Sequence, residues 1–276
     1  MKKTINDLER DIDDLKYILD LTLDLYLIQS GCQTKSFAYE TDSLNTYEII
    51  PSTDIVNIDE KLGLIDNGCY VIVIACNTAS AKALRTIQQR NINPDELRVL
   101  GVIRPTVEVV PQRTRTKHIG VLATPGTVAS ESYIIELLKQ DPTLTITQQA
   151  CPMWVPLIES GEHLHSGADY FVEKYLTELL TRDPLIDTII LGCTHYPLLQ
   201  PKIEAFLSEN SYHISVVSQG SIVADSFADY LNRHPEFSQD SNGGTCKYLT
   251  TESANKFSES ASLFLSEAIE AQHIEL

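Results

Sequence analysis

The segment that decides the fold is VIVIACNTAS, residues 71–80. Four β-branched residues in succession, 71–74, are typical of a strand buried on both faces, as in a parallel sheet. Apolar residues then recur with helical spacing, which predicts a helix over residues 79–90. Cys76 therefore lies in a strand-to-helix turn, at the carboxyl end of a strand, where open α/β sheets bind ligands.

A second segment, TIILGCTHYP at residues 188–197, repeats this arrangement. An apolar strand pattern is again followed by one small residue, by a cysteine, Cys193, and by a polar pair. The two cysteines are separated by just under half the length of the chain. The repeat predicts two related α/β lobes, each with a thiol at the carboxyl end of its sheet.

Strand and helix patterns alternate over the rest of the chain, which predicts an α/β fold with parallel sheets covered by helices. Further strands are predicted at residues 98–103, 118–123, 144–148, 214–217 and 247–250. Further helices are predicted at residues 127–139, 169–181, 198–209, 222–232 and 254–271. Pro105 and Pro111 indicate a loop after the strand at 98–103.

Composition limits the classes of partner. The chain has 276 residues, enough for one large or two medium domains, and a net charge of −17. This acidic balance argues against nucleic acid, because phosphate binding needs a basic face. No apolar run approaches the roughly 18 residues of a membrane span, and no secretory signal pattern is present. We therefore expect a cytoplasmic protein without membrane association.

The cysteine and histidine patterns do not indicate a metal. Six cysteines without a Cys-x-x-Cys pair fit reduced thiols better than disulfides or zinc ligands. Glu162, His163 and His165 lie between two glycines, which favours a solvent-exposed loop over a zinc site. Cys151, followed by a proline, is expected to be a packing residue.

The first 60 residues have a different character from the rest. Apolar residues from Ile5 to Leu19 recur in steps of three and four, with Asn6 and Glu9 placed as a capping box. This pattern predicts an amphipathic helix over residues 7–28, on the surface or facing a partner. The pattern between residues 29 and 60 is too weak to assign.

Two thiols at the ends of two strands suit proton transfer at a carbon. A thiolate removes a proton from one face while a protonated thiol returns one to the other. Asn77, Thr78, Thr194 and His195 follow the thiols directly and could bind substrate or tune the thiol pKa values. A disulfide switch between the two cysteines is one alternative. Acyl transfer by Cys193 with His195 is another, although sequence neighbours at a turn usually point apart.

The motifs at these residues resemble those of the glutamate racemases, in the cofactor-independent aspartate/glutamate racemase superfamily. The resemblance runs from about Gly68 to Leu276 and rests on five motifs in order: ACNTAS (75–80), GVIRP (101–105), ATPGT (123–127), ACPMWVPLIE (150–159) and LGCTHYPL (191–198). By this resemblance Cys76 and Cys193 match the two catalytic cysteines, assisted at the second thiol by Glu159 and His195. Substrate-binding positions match the residues Asn77, Thr78, Thr124, Thr127, Thr194 and His195.

The resemblance also implies an architecture and a role. We expect two pseudo-symmetric lobes with the site in the cleft between them, the first from residues 1–102 with 212–276 and the second from 103–211. It implies D-glutamate supply for peptidoglycan, no pyridoxal phosphate and a homodimer. The family's N-terminal Asp-Ser-Gly and Pro-Tyr-Gly motifs are absent, and the nearest match is Asp42-Ser43, followed by Leu44.

Two alternatives stay open from the sequence. The substrate could be aspartate or another small acidic amino acid rather than glutamate. The chain could instead be a non-catalytic relative, in which the acidic N-terminal helix binds another protein.

Overall fold

The chain divides into two compact units. Unit 1 comprises Met1–Val102 with Val223–Leu276, and unit 2 comprises Ile103–Ile222. The computed structural model describes residues 35–41, 46–49, 69–82, 84–89, 98–234, 244–250, 253–265 and 268–273. The predicted helix at 7–28 and the Asp42-Ser43 pair lie outside the described residues.

Strands and helices alternate through most of the described chain. The strands are β1 Lys35–Thr41, β2 Thr46–Ile49, β3 Cys69–Ile74, β4 Arg98–Gly101, β5 His118–Ala123, β6 Thr145–Ala150, β7 Thr188–Gly192, β8 Ser215–Val217, β9 Gly244–Thr250 and β10 Ala271–His273. The α-helices are α1 Asn77–Lys82, α2 Leu84–Gln89, α3 Ile103–Val109, α4 Pro125–Ala129, α5 Ser132–Gln140, α6 Trp154–Glu159, α7 Gly167–Arg182, α8 Gln200–Glu209, α9 Gly220–Arg233 and α10 Ala254–Leu265. Short 3-10 helices lie at Val110–Gln112, Glu162–Leu164 and Tyr196–Leu199.

Unit 1 contains a mixed sheet with strand order β10-β9-β1-β2-β3-β4. Strands β2, β3 and β4 run parallel, whereas β1 is antiparallel to both of its neighbours, β2 and β9. Val71 and Val73 pack on one side against a cluster that includes Phe227 and Phe257. Ile72 and Ile74 are equally buried, so β3 is covered on both faces, as its unbroken run of β-branched residues predicts.

Unit 2 contains a fully parallel sheet with strand order β6-β5-β7-β8. Every residue of β7 is buried, and β5 is buried from its second residue onward. Trp154, without exposed surface, packs edge-on against Tyr175 and Tyr196. The α/β fold expected from the sequence is thus confirmed, and the sheet of unit 2 is parallel throughout.

Most predicted elements are confirmed, and the predicted strand at 118–123 has the observed bounds. The predicted helix at 127–139 is two helices, α4 and α5, because Glu131 adopts a left-handed conformation with φ of 53°. The helix predicted at 79–90 is confirmed over the described residues of that range, which belong to α1 and α2. The weak pattern at 29–60 contains the strands β1 and β2.

Three expectations were wrong. The loop expected around Pro105 is helix α3, in which Pro105 is the third residue and its missing N–H costs no helical bond. The helix predicted to reach residue 271 ends at Leu265, and β10 pairs with β9. The hydroxyl oxygens of Ser258 and Ser262 accept from the N–H groups of Ala271 and Ile269, which holds the chain back along the helix.

The third is the His163 segment, expected to be a solvent-exposed loop. Glu162 and His165 are exposed, as expected, but the segment forms a 3-10 helix in which His163 is buried. Burial lowers the pKa of this imidazole, which keeps the ring neutral near neutral pH. Among the described residues, no group of three or more His, Cys, Asp or Glu side chains could hold a metal ion.

The start of β7 is fixed by Asp187. Its carboxylate accepts hydrogen bonds from Thr114 Oγ1 at 2.6 Å, from the N–H groups of Arg115 at 2.7 Å and Thr116 at 2.9 Å, and from Thr188 Oγ1 at 3.0 Å. Burial alone would raise the pKa of Asp187, but these donors outweigh it and lower the pKa to about 2. Within the described part of the chain, no helix is long and apolar enough to span a membrane.

We predict that Gly120→Ala destabilises unit 2. A Cβ at Gly120 would lie 2.9 Å from Leu179 Cδ2 and 3.2 Å from Ile189 Cγ1, and such overpacking costs about 1–3 kcal/mol. Urea unfolding followed by fluorescence of Trp154, the one tryptophan of the chain, reports on this unit. The control is Gly167→Ala, where a Cβ meets nothing within 4 Å. Equal unfolding midpoints for the two variants would contradict the packing argument.

We also predict that Asp187 makes the stability of unit 2 depend on pH in the acid range. The pKa of Asp187 is about 2 in the folded state, below its ordinary value, so its stabilisation is present above pH 4 and is lost as pH falls toward 2. The loss should be about 2 kcal/mol. Trp154 fluorescence in urea between pH 2 and 5 measures it. The Asp187→Asn variant should have a lower free energy of unfolding at pH 5, and that free energy should depend less on pH than in the wild type. Parallel pH dependences in the two proteins would refute this role.

Candidate active site

In unit 1, Cys76 lies in the turn between β3 and α1. The Ser80 N–H donates to Cys76 O at 2.8 Å, which closes the first helical turn, and Ser80 Oγ donates to Ile74 O at 2.8 Å. Helix α1 therefore begins directly at the end of β3 and holds the thiol at its first turn. Asn77 is buried and Thr78 half-buried on the following turn.

Opposing effects act on the Cys76 thiol. Burial raises the pKa of Cys76, whereas the N–H groups of Ala79 and Thr78 and the Thr78 hydroxyl lower it by hydrogen bonding to the sulfur. Burial has the larger effect, so the group is a thiol near neutral pH. The helix N–H groups are nevertheless in place to stabilise a thiolate when one forms.

In unit 2, the carboxyl ends of three parallel strands bring polar groups to one edge of the sheet. Ala123 pairs with Gly192 on one side and with Ala150 on the other. Thr124, Cys151 and Cys193 are the next residues of these strands, and therefore leave the sheet at the same edge. Cys193 is buried, with 7% of its surface exposed.

Cys193, His195 and Glu159 form a connected chain of groups. Cys193 Sγ lies 3.6 Å from His195 Nδ1, and His195 Nε2 lies 3.4 Å from Glu159 Oε1. All three side chains are largely buried. A thiol, an imidazole and a carboxylate in this order can pass a proton away from the sulfur and stabilise the resulting imidazolium.

This contact corrects the expectation that Cys193 and His195 point apart. A turn follows Cys193, closed by the Tyr196 N–H donating to Cys193 O at 3.1 Å, and leads into the 3-10 helix Tyr196–Leu199. The helical turn brings the residue two positions on back toward the thiol. Glu159, which follows an apolar segment with two prolines in the sequence, is the last residue of helix α6.

Thr124 and Thr127 form a pair at the start of helix α4. The Thr127 N–H is 3.4 Å from Thr124 Oγ1, which caps the helix, and the two hydroxyl oxygens are 3.1 Å apart. Thr127 is fully buried and Thr124 half-buried. Thr194, between Cys193 and His195, is also buried.

Three further groups near Cys193, the side chains of Tyr133, Cys151 and Tyr196, stay uncharged. Burial, and then the negative charge of a Cys193 thiolate, raise the pKa of Tyr133 and of Cys151. Burial likewise raises the pKa of Tyr196, whose hydroxyl donates to Cys151 O at 3.2 Å. Cys151 is fully buried, which confirms its expected packing role.

The sequence reasoning missed two residues beside this site. Gln219 Nε2 donates to Tyr133 Oη at 2.8 Å and to Thr106 Oγ1 at 2.9 Å. Tyr133 has helical spacing with apolar neighbours, so it carried no functional signal. Gln219 precedes a helix, and its sequence context predicts only an ordinary polar residue at a turn.

Comparison with known proteins identifies the family. The family model for Asp/Glu/Hydantoin racemase matches residues 51–225. A glutamate racemase from Roseobacter denitrificans is 36% identical over 256 residues, covering 88% of this chain and 92% of the relative. The chain belongs to the glutamate racemase family. The family match begins upstream of Gly68, where the motifs alone placed the start of the resemblance.

Solved glutamate racemases share the fold of this family member. The RacE1 isoform from Bacillus anthracis has a TM-score of 0.70 and 29% identity, covering 78% of this chain and 77% of that one. The enzyme from Francisella tularensis, solved with D-glutamate, has a TM-score of 0.68 and 23% identity, covering 96% of this chain and 93% of that one.

We predict that alkylation with iodoacetamide at pH 8 modifies Cys76 before Cys151. Both thiols have a raised pKa, but Cys76 is partly exposed and Cys151 has no exposed surface. Thiolate fraction and access together set the alkylation rate. Peptide mass spectrometry of the folded protein measures both rates, with urea-unfolded protein as the control in which the difference disappears. Equal rates in the folded protein would contradict the burial of Cys151.

Proposed function

We propose that the protein interconverts L- and D-glutamate by proton transfer at the α-carbon, with Cys76 and Cys193 as the two acid/base groups. The observation that carries the proposal is that each thiol follows the carboxyl end of a buried strand. Each also has partners that can accept its proton or stabilise its thiolate. Family membership, with glutamate racemases as the named relatives, supports glutamate as the substrate.

The two thiols have complementary roles in one direction of the reaction. His195 accepts the proton of Cys193, and Glu159 stabilises the imidazolium. The Cys193 thiolate then takes the α-proton, and the electron pair left on the carbon is delocalised into the substrate carboxylate. Cys76 gives its proton to the opposite face, and the N–H groups of Thr78 and Ala79 stabilise its thiolate. In the reverse direction the thiols exchange these roles.

This mechanism requires both thiols to act on the same α-carbon, one from each face. Asn77, Thr78, Thr124, Thr127, Thr194 and His195 are proposed to bind the substrate. Their amide, hydroxyl and imidazole groups suit the carboxylates and ammonium group of an acidic amino acid.

The reaction as proposed uses no cofactor, since both proton carriers are side chains. We further propose that the protein acts in the cytoplasm, supplies D-glutamate for peptidoglycan and therefore for cell wall biogenesis and cell shape, and forms a homodimer. The Cys193–His195 contact would also serve acyl transfer. The family relationship favours racemisation, and racemisation gives both thiols a role.

We predict that purified protein exchanges the α-proton of L-glutamate with solvent, seen as loss of the α-proton NMR signal in D₂O. Cys76→Ala and Cys193→Ala should each lower racemisation by about 10²- to 10⁴-fold, the range for removal of one acid/base group. Cys151→Ala is the matched control and should retain activity, since its buried thiol has no part in the chemistry.

The same experiment with L-aspartate separates the alternatives. Faster exchange with aspartate would change the substrate assignment and leave the two-thiol mechanism intact. No exchange with either amino acid, from protein with native Trp154 fluorescence, would refute the racemase proposal and favour a non-catalytic relative that binds another protein.

A further inference from the structure

A buried polar network lies beside the Cys193 turn in unit 2. Gln219 donates from its one amide nitrogen to both Tyr133 and Thr106, at 2.8 Å and 2.9 Å. Tyr133 and Thr106 have no exposed surface, and Gln219 has 3%. The network joins helices α3 and α5 to the residue that precedes α9.

The ring of Tyr133 packs directly on the end of β7. A Cβ at Gly192 would lie 3.1 Å from Tyr133 Cε2, 3.2 Å from Leu122 O and 3.3 Å from Ala123 Cβ. Gly192 therefore lies close to both the ring and strand β5. The next residue is Cys193, so the ring packs against the backbone that leads to the thiol.

The polar groups of this network are not needed for packing. A phenylalanine would fill the same apolar space, and each buried hydroxyl or amide costs free energy unless its hydrogen bonds are made. The hydrogen bonds add a fixed orientation, because Gln219 holds the phenol oxygen in one place. The network thus restrains the ring more tightly than apolar contacts alone.

We propose that Tyr133, held by Gln219 and Thr106, is a positioning residue that fixes the Gly192–Cys193 turn for proton transfer by Cys193. This inference rests on the proposed racemase function. The pKa of Tyr133 is raised by burial and by the charge of Cys193, so the phenol stays neutral while Cys193 is a thiolate. Tyr133 itself is fully buried and acts through Cys193 rather than on the substrate.

The first test is Tyr133→Phe, which keeps the ring and removes the hydroxyl. We expect kcat to fall by about 10- to 100-fold, as for a small misplacement of a reacting group, with KM for glutamate within about 2-fold of wild type, since substrate contacts are unchanged. Tyr175→Phe is the matched control, because Tyr175 is a buried tyrosine of the same unit that packs on Trp154. It should leave kcat unchanged.

The second readout separates positioning of Cys193 from a general loss of structure. With α-deuterated substrates, the isotope effect on kcat/KM should rise only for the enantiomer whose proton Cys193 removes. Glu159→Gln, which acts on Cys193 through His195, should raise the isotope effect for that same enantiomer. Thr78→Val, which removes a hydrogen bond to the Cys76 sulfur, should raise it for the opposite one.

The third readout tests the network as a unit. Gln219→Leu removes both hydrogen bonds from the amide and should lower kcat to a similar extent. The double variant Tyr133→Phe with Gln219→Leu should lose no more than about 2-fold beyond either single variant, because groups of one network are not additive. Additive losses would overturn the network as the means of positioning.

An unchanged kcat in Tyr133→Phe, or an isotope effect that rises equally for both enantiomers, would overturn the proposal. If the wild-type protein exchanges no α-proton, the racemase function fails, and the rate of Cys193 alkylation by iodoacetamide replaces kcat as the readout. A rate altered by Tyr133→Phe and unaltered by Tyr175→Phe would support positioning of the Cys193 turn. Equal rates in all three proteins would refute it.

Discussion

The burial of strands β3 and β7 on both faces is the constraint on which the rest of the structure depends. A strand covered on one face has a solvent-facing side, so a change of register exchanges its buried and exposed side chains. A strand covered on both faces has no such side. Each strand therefore ends at a defined residue, at Ile74 and at Gly192. The chain must turn there, and in both units the residue delivered to the turn region is a cysteine.

Strand β7 is held at both of its ends, by hydrogen bonds at its start and by a ring that a hydrogen bond orients at its end. At its start, Asp187 accepts hydrogen bonds from the segment at residues 114–116 and from Thr188. At its end, the Tyr133 ring packs against Gly192 and is itself held by Gln219. Apolar packing stabilises β7 but is not directional. The hydrogen bonds of Asp187 and Gln219 are directional, and they fix where the strand begins and ends along the chain.

The two thiols occupy similar places in their sheets but have different surroundings. Cys76 relies on backbone N–H groups of a helix, whose partial positive charge is permanent. Cys193 relies on an imidazole and a carboxylate, which can move a proton. Two acid/base groups that alternate between proton donor and proton acceptor can have such different surroundings. Each environment can stabilise its thiolate, one by helix N–H groups and the other by an imidazole with a carboxylate.

The sequence by itself determined the buried strands, the alternation of strands and helices, and the place of Cys76 and Cys193, because these follow from short-range patterns of apolar residues and from motifs. It did not determine β1, which pairs with β9 far along the chain, or β10, which pairs with β9 across helix α10. The family resemblance assigned His195 and Glu159 to Cys193, but residue spacing did not predict these contacts, and no sequence signal indicated Tyr133 or Gln219. The contact with His195 follows from a local turn, whereas Glu159, Tyr133 and Gln219 come from separate elements of unit 2. Only tertiary packing brings such groups within hydrogen-bonding distance, because hydrogen bonds depend on distances in space and not on separation in sequence.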